Sequence, residues 1–197
     1  MLLRVSSIDQ TADQYEAQLE HTGYYAAKVA NLRPDSRRRL EILATRCLLK
    51  EMLDGEQIVS YDEYGAPSLT GSGQYVSISH TDGYVAVIIA NKPVGIDIER
   101  RGCRVERVRS KFMQVSEDAL VAETPDTVLS MHLIWSAKEA VFKFLGQQYY
   151  DLQKLTRVTS IDFKHGVMTM DVCGLESALT IYFEITKDYV LCYSMSH

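Results

Sequence analysis

One strong break, Asn91-Lys92-Pro93, parts the chain into two stretches, each holding one long helical pattern and a series of short strand patterns. Before the break, residues 2–8 read as a first strand. Pro34 stands at a first helical position, and Leu40, Leu43, Ala44, Cys47 and Leu48 then recur at helical spacing until Asp54 and Gly55 stop the run. Arg37 and Arg46 fall off that apolar stripe. Residues 58–61, 75–79 and 84–90 read as strands, the last two joined by the turn residues His80, Thr81, Asp82 and Gly83. After the break, 94–99 is a strand, followed by a basic helical stretch and a short helix capped by Ser116. Thr124 and Pro125 provide a cap and a first-turn proline for a long helix running to Gly146. Strands at 158–163, 167–172, 179–185 and 189–195 complete the chain, with hairpin signals at His165-Gly166 and Lys187-Asp188. The expected fold is α+β, in two halves of residues 1–92 and 93–197, each a helix packed on a small, mostly antiparallel sheet. No sequence repeat, low-complexity tract or flexible linker accompanies this division.

Composition excludes several classes. Of 197 residues, 46% are hydrophobic and 24% charged, as in ordinary globular domains and unlike a collagen, a mucin stalk or a disordered tail. The longest aliphatic run, 85–90, is far shorter than the ~20 residues that a membrane-spanning helix needs. The first residues, MLLRVSSIDQ, place Arg4 where a signal peptide is apolar and lack a small-residue cleavage site, so a cytoplasmic protein without a membrane partner is expected. Cys47, Cys103, Cys173 and Cys192 lie 56, 70 and 19 positions apart, which suits neither a zinc site nor a redox pair. A net charge of −5 argues against a general nucleic-acid binder. Two local basic runs stand out against that sum: Arg37, Arg38 and Arg39, and the stretch 100–111, with six basic residues against Glu106.

Two segments carry candidate chemistry. In VGIDIE, Asp97 and Glu99 are two apart on a strand and leave the same face, either as a solvent-facing pair or converging on a cation. In WSAKEAVFK, Ser136, Glu139 and Lys143 share one stripe of a helix, beside a more apolar one with Met131, Trp135 and Phe142. Glu139 and Lys143, an i, i+4 pair, could be no more than a surface ion pair. Taken together, three carboxylates with a nearby lysine suit Mg2+, which takes hard oxygen ligands and completes its shell with water and substrate phosphates.

The pairing of VGIDIE with WSAKEAVFK, 42 positions apart from Asp97 to Glu139, resembles the two-part signature of the 4'-phosphopantetheinyl transferases. The SISH segment at 77–80 resembles the larger, pseudodimeric type that activates peptide and polyketide synthases. This resemblance implies two similar halves related by a pseudo-twofold, a monomer, and transfer of the phosphopantetheine arm of coenzyme A to a serine of an apo acyl or peptidyl carrier protein. It implies Mg2+ on Asp97, Glu99 and Glu139, and Lys143 on the coenzyme A diphosphate. Ser79 and His80 would meet coenzyme A phosphates, with Arg46 on the 3'-phosphate and Arg37 assisting. Glu117 falls where the family has a glutamate proposed as base, although it also suits a first-turn helix acid, and Glu139 acting through a water is the other candidate base. Many members read Gly-Lys-Pro before the SISH strand. Here Gly65, Ala66 and Pro67 stand there, leaving backbone contacts to adenine but no lysine. A carrier protein, acidic around its serine, would meet Arg104, Arg107 and Lys111, spaced i, i+3 and i+7 for one face of a helix. The rival readings are a Mg2+-dependent phosphohydrolase or nuclease, and a binding module for carrier proteins or nucleotides whose catalysis has lapsed.

Overall fold

The computed structural model describes residues 1–102, 104–124, 126–146 and 151–196; Cys103 and Pro125 lie outside the described residues. The chain forms two compact units, Met1–Pro93 and Val94–His197. In the first, strand β1 (Leu2–Ser7) is followed by short helices α1 (Ala12–Glu16) and α2 (Ala26–Val29), then the long helix α3 (Arg37–Leu53). Strands β2 (Val59–Tyr61), β3 (Pro67–Leu69), β4 (Tyr75–Thr81) and β5 (Tyr84–Ala90) then meander back, giving the sheet order β1-β5-β4-β3-β2. The second unit repeats the plan. Strand β6 (Val94–Arg100) leads through α4 (Arg104–Val108), α5 (Asp118–Ala122), the long helix α6 (Thr127–Phe144) and α7 (Leu152–Leu155) to β7 (Thr156–Asp162), β8 (Val167–Val172), β9 (Leu179–Ile185) and β10 (Tyr189–Met195). Its order is β6-β10-β9-β8-β7. Every pairing is antiparallel, and in each unit the last strand returns beside the first. The halves are therefore similar in topology without a repeat in sequence.

Each sheet buries one face against its long helix. Leu43 and Leu49 of α3 pack with Val85, Val87 and Ile89 of β5, while Leu133, Ile134, Ala137 and Val141 of α6 pack with Met168, Met170, Ile181 and Val190. In β5 the intervening Ala86, Ile88 and Ala90 are buried too, which is why that strand reads as an unbroken apolar run.

Local signals differ from the sequence expectation where short-range geometry intervenes. Ser36, rather than the turn at Pro34, caps α3, and Asp54 ends it in the left-handed conformation (φ 52°). His80 and Thr81 belong to β4, leaving Asp82-Gly83 as a two-residue hairpin with Gly83 at φ 80°. Asp126 caps α6, its carboxylate accepting from Leu129 N at 2.9 Å, so the helix begins later than Thr124 suggested. Ser116 lies inside a 3-10 turn (Val115–Glu117) whose capping box is built from Gln114 and Glu117. The basic stretch winds as α4 and then as a 3-10 turn, Arg109–Lys111, so Arg104, Arg107 and Lys111, all exposed, do not form one continuous α-helical stripe. Strand β3 has three residues, too few to show a period.

Gly95 sets how closely β6 approaches α6. A Cβ there would fall on the Ala140 carbonyl oxygen, and within 2.6 Å of Phe144 N and 2.9 Å of Phe144 Cβ. Backbone cannot retreat cheaply, so Gly95→Ala should destabilise the unit by about 1 to 3 kcal/mol or more, measured as a shift in denaturation midpoint. An unchanged midpoint would show that the strand and helix are not in this contact.

Candidate functional site

The side chains of β6 alternate, and Gly95, Asp97 and Glu99 share the face turned to α6. Asp97, 4% exposed, accepts from Lys143 Nζ at 2.8 Å, and the same ammonium donates to the Ile96 carbonyl at 3.0 Å. Ser136 Oγ donates to the Asp97 carbonyl at 3.2 Å. Glu99 accepts from Trp135 Nε1 at 2.8 Å, and the indole meets Phe112 edge-on at 5.1 Å between centroids. The pair on β6 thus faces helix rather than solvent, and the ion pair of Lys143 joins it to Asp97 on the strand. Burial, and then the charge of Asp97, push both remaining carboxyls upward. Glu99 reaches about 7, the pull of Trp135 and Lys143 being too weak to compensate. Glu139, half-buried one turn before Lys143, rises for the same two reasons.

Three oxygen-only donors around a single ammonium, with the charge of Asp97 raising the proton affinity of Glu99 and Glu139, have the chemistry of a hard divalent-cation site, since a cation would relieve that repulsion. In donor type and charge they fit Mg2+. As placed, Asp97 is drawn to Lys143 and Glu99 to Trp135, and among the described residues no three Asp, Glu, His or Cys side chains are grouped as ligands of one ion.

Glu117 sits elsewhere in the same unit, with no exposed surface. One oxygen accepts from Lys138 Nζ at 2.9 Å and Gln114 N at 2.7 Å; the other accepts from Val158 N at 2.7 Å. Lys138, equally buried, also donates to the carbonyls of Phe112 (2.7 Å) and Thr156 (3.0 Å). Every donor of the ammonium has an acceptor, so the pair ties the 3-10 turn, α6 and β7 together. The sequence places Lys138 next to Glu139 and offers no sign that the two point to different environments.

In the first unit, His80 lies beside the opening turn of α3. Its Nε2 is 2.6 Å from Arg38 Nη1 and its Nδ1 is 3.2 Å from a Glu41 oxygen. Arg37 Nε donates to Glu41 at 2.7 Å, and Arg38 Nη1 approaches the same carboxylate at 3.4 Å. Ser79 precedes His80 and is buried. Arg38 and Glu41 were not singled out by motif; the signal available was their i, i+3 spacing within the arginine run. Arg46 is 5% exposed, because α3 is enclosed on all sides from Glu41 to Leu49. Its position off the apolar stripe therefore does not mean solvent, and its Nε and Nη2 make no hydrogen bond among the described residues. Gly65 (φ 86°) completes a turn in which an Asp62 oxygen accepts from Tyr64 N at 2.9 Å and Ala66 N at 2.8 Å. Pro67 then opens β3 opposite Tyr61.

Residues 93–194, just over half of the chain, match the family model of the 4'-phosphopantetheinyl transferase superfamily. The chain belongs to that superfamily. It is similar to 4'-phosphopantetheinyl transferase gsp of Aneurinibacillus migulanus, at 32% identity over 91 residues. That alignment covers 45% of this chain and 38% of the relative, so the chain spans well under two thirds of that protein's length in the match. The superfamily match contains Asp97, Glu99, Glu117, Glu139 and Lys143; Arg37, Arg46, Gly65, Pro67, Ser79 and His80 precede it. The two-halved α+β fold agrees with the superfamily. Among the described residues no helix is long and apolar enough to cross a membrane. Cys47 and Cys192 are buried, and burial pushes the Cys47 thiol up to about 11, so it is a poor nucleophile near neutral pH.

Proposed function

We propose that this member of the superfamily transfers the 4'-phosphopantetheine arm of coenzyme A to a serine of an apo acyl or peptidyl carrier protein, releasing adenosine 3',5'-bisphosphate. The observation that carries this reading is the acidic pair on β6 turned to the face of α6 that bears Lys143, inside the segment matching the superfamily.

In this reading the serine oxygen forms a bond to the phosphorus bearing the pantetheine arm. The bond from that phosphorus to the bridging oxygen breaks, and the bisphosphate leaves with the electron pair. Asp97, Glu99 and Glu139 would hold Mg2+, which supplies neutralisation of charge developing on the diphosphate oxygens. Lys143 binds diphosphate oxygen, and Asp97 keeps its ammonium at the site. Trp135 restrains Glu99 through its indole N–H. Glu139 acting through a water, rather than Glu117, is the base for the serine hydroxyl in this reading, because Glu117 is sealed against Lys138 with no exposed surface. Ser79 and His80 contact coenzyme A phosphates, with Arg37 assisting, and the turn at Gly65 and Pro67 offers backbone to the adenine. The exposed Arg104, Arg107 and Lys111 receive the acidic carrier, and the protein works as a cytoplasmic monomer of the pseudodimeric type.

Arg46 supports the donor assignment physically. A guanidinium withdrawn from water with unused donors is costly, and an anion reaching it would satisfy them. Arg46→Ala should accordingly weaken binding of coenzyme A more than that of 3'-dephospho coenzyme A, by about 1 to 3 kcal/mol in titration calorimetry. Equal losses would put Arg46 in a structural role.

The deciding experiment incubates the protein with coenzyme A, Mg2+ and an apo carrier protein and weighs the carrier. A carrier heavier by one phosphopantetheine supports transfer. Consumption of coenzyme A with unchanged carrier mass would establish hydrolysis instead, and binding without turnover a lapsed enzyme.

A further inference from the structure

The arginine run at the start of α3 and the histidine at the end of β4 meet around one carboxylate. Glu41 has 5% of its side chain exposed, whereas Arg37, Arg38 and His80 expose 56%, 53% and 35%. The Glu41 carboxylate is inside and the cationic groups are outside, with the exposed Asp82 carboxylate 3.9 Å from Arg37 Nη1 as a second anion at the rim. That arrangement says little for stability, since desolvating a carboxylate offsets much of what its ion pairs contribute. It says more about orientation. Without Glu41 the adjacent guanidinium groups, next to each other in sequence, would repel and turn to different parts of the solvent. With it, the Arg37 Nε–H and an Arg38 N–H are drawn to one point, at 2.7 and 3.4 Å.

The imidazole is oriented by the same carboxylate. An arginine nitrogen can only donate, so the 2.6 Å contact between Arg38 Nη1 and His80 Nε2 requires Nε2 to be the acceptor. The ring proton of the neutral imidazole is then on Nδ1, which faces Glu41 at 3.2 Å. Glu41 thus selects the tautomer whose Nε2 lone pair holds Arg38.

We propose that Glu41 is a positioning residue: it gathers Arg37, Arg38 and His80 into one preorganised receptor for a phosphate group, with Arg38 as a contact additional to those the motifs suggested. The inference deepens the donor-binding half of the proposed function and rests on that reading for the identity of the phosphate, which is one borne by coenzyme A. Glu41 itself touches no ligand. Its effect is to remove the cost of ordering two long cationic side chains when the phosphate arrives.

Nitrogen-15 spectra of histidine rings in the labelled full-length protein, with His80 assigned by its loss in His80→Gln, should show the Nδ1-protonated tautomer in the wild type. Glu41→Met, which fills the buried space without an acceptor, should lose that tautomeric bias and bind coenzyme A on the order of tenfold more weakly in titration calorimetry. Arg38→Ala should weaken coenzyme A binding while leaving the thermal midpoint within a degree or two of the wild type. A wild-type His80 carrying its proton on Nε2 would overturn the proposal, and that measurement holds even if Glu41→Met fails to fold. Undiminished coenzyme A affinity in a folded Glu41→Met would overturn it as well. Failure of the wild type to modify any carrier would sink the transfer reading alone, because tautomer and coenzyme A affinity are read without turnover.

Discussion

Glu117→Gln and Lys138→Ala should each lower the stability of the second unit by about 3 to 5 kcal/mol, a large share of what a domain of this size possesses. The cause is asymmetry. With both partners present, the ammonium has three acceptors at 2.7 to 3.0 Å and the carboxylate has three donors at 2.7 to 2.9 Å, so neither charge is left bare. Removing one partner strands the other in a site with no exposed surface. Burial has already lowered the proton affinity of Lys138, with Glu117 as the group opposing that shift, so the ammonium depends on its partner to remain charged. Chemical denaturation of the single variants checks the size of the loss. The paired replacement Glu117→Leu with Lys138→Met should recover much of it, since two apolar side chains leave no orphaned charge, although Val158 N and Gln114 N would lose their acceptor. Single variants within about 1 kcal/mol of the wild type would contradict the sealed pair. The same variants bear on the chemistry. A base at this position predicts that Glu117→Gln keeps its stability and loses turnover, whereas a buried tie predicts loss of stability first.

The other large effect is catalytic. Asp97→Asn should reduce carrier modification by on the order of 100-fold or more, while the fold survives, because stabilising charge at the diphosphate is worth several kcal/mol of the barrier. Asp97 is the natural target. It contributes to the raised proton affinity of both Glu99 and Glu139, and it holds Lys143 at 2.8 Å. Removing its charge therefore weakens the cation site and releases the lysine in one step. Circular dichroism and the thermal midpoint would separate loss of function from loss of fold. The wild type should be inactive in EDTA and recover on addition of Mg2+. Near-normal transfer by Asp97→Asn, or full wild-type activity in EDTA, would end the metal assignment.

Much of the architecture was legible because its signals are local. The break at Pro93, the helical spacing from Leu40 to Leu48 and the strand patterns each require only neighbours in sequence. Period two alone puts Asp97 and Glu99 on one face. Two-halved topology was likewise readable from element order, whereas the return of β5 beside β1 and β10 beside β6 is stated only by the sheets.

What the sequence alone determined was the kind of residue available at each place: three carboxylates and a lysine in two motifs, an arginine run, and a glutamate before a short helix. Tertiary structure decided their partners. It gave Lys143 to Asp97 instead of Glu139, enclosed Arg46 in a helix packed on every side, sealed Glu117 against Lys138, and set Glu41 beneath Arg37, Arg38 and His80. The physical reason is range. Helix and strand periods act over a few residues, but the environment of a charge is set by whatever the whole fold packs around it, often tens of positions away: 21 residues separate Glu117 from Lys138, and 46 separate Asp97 from Lys143.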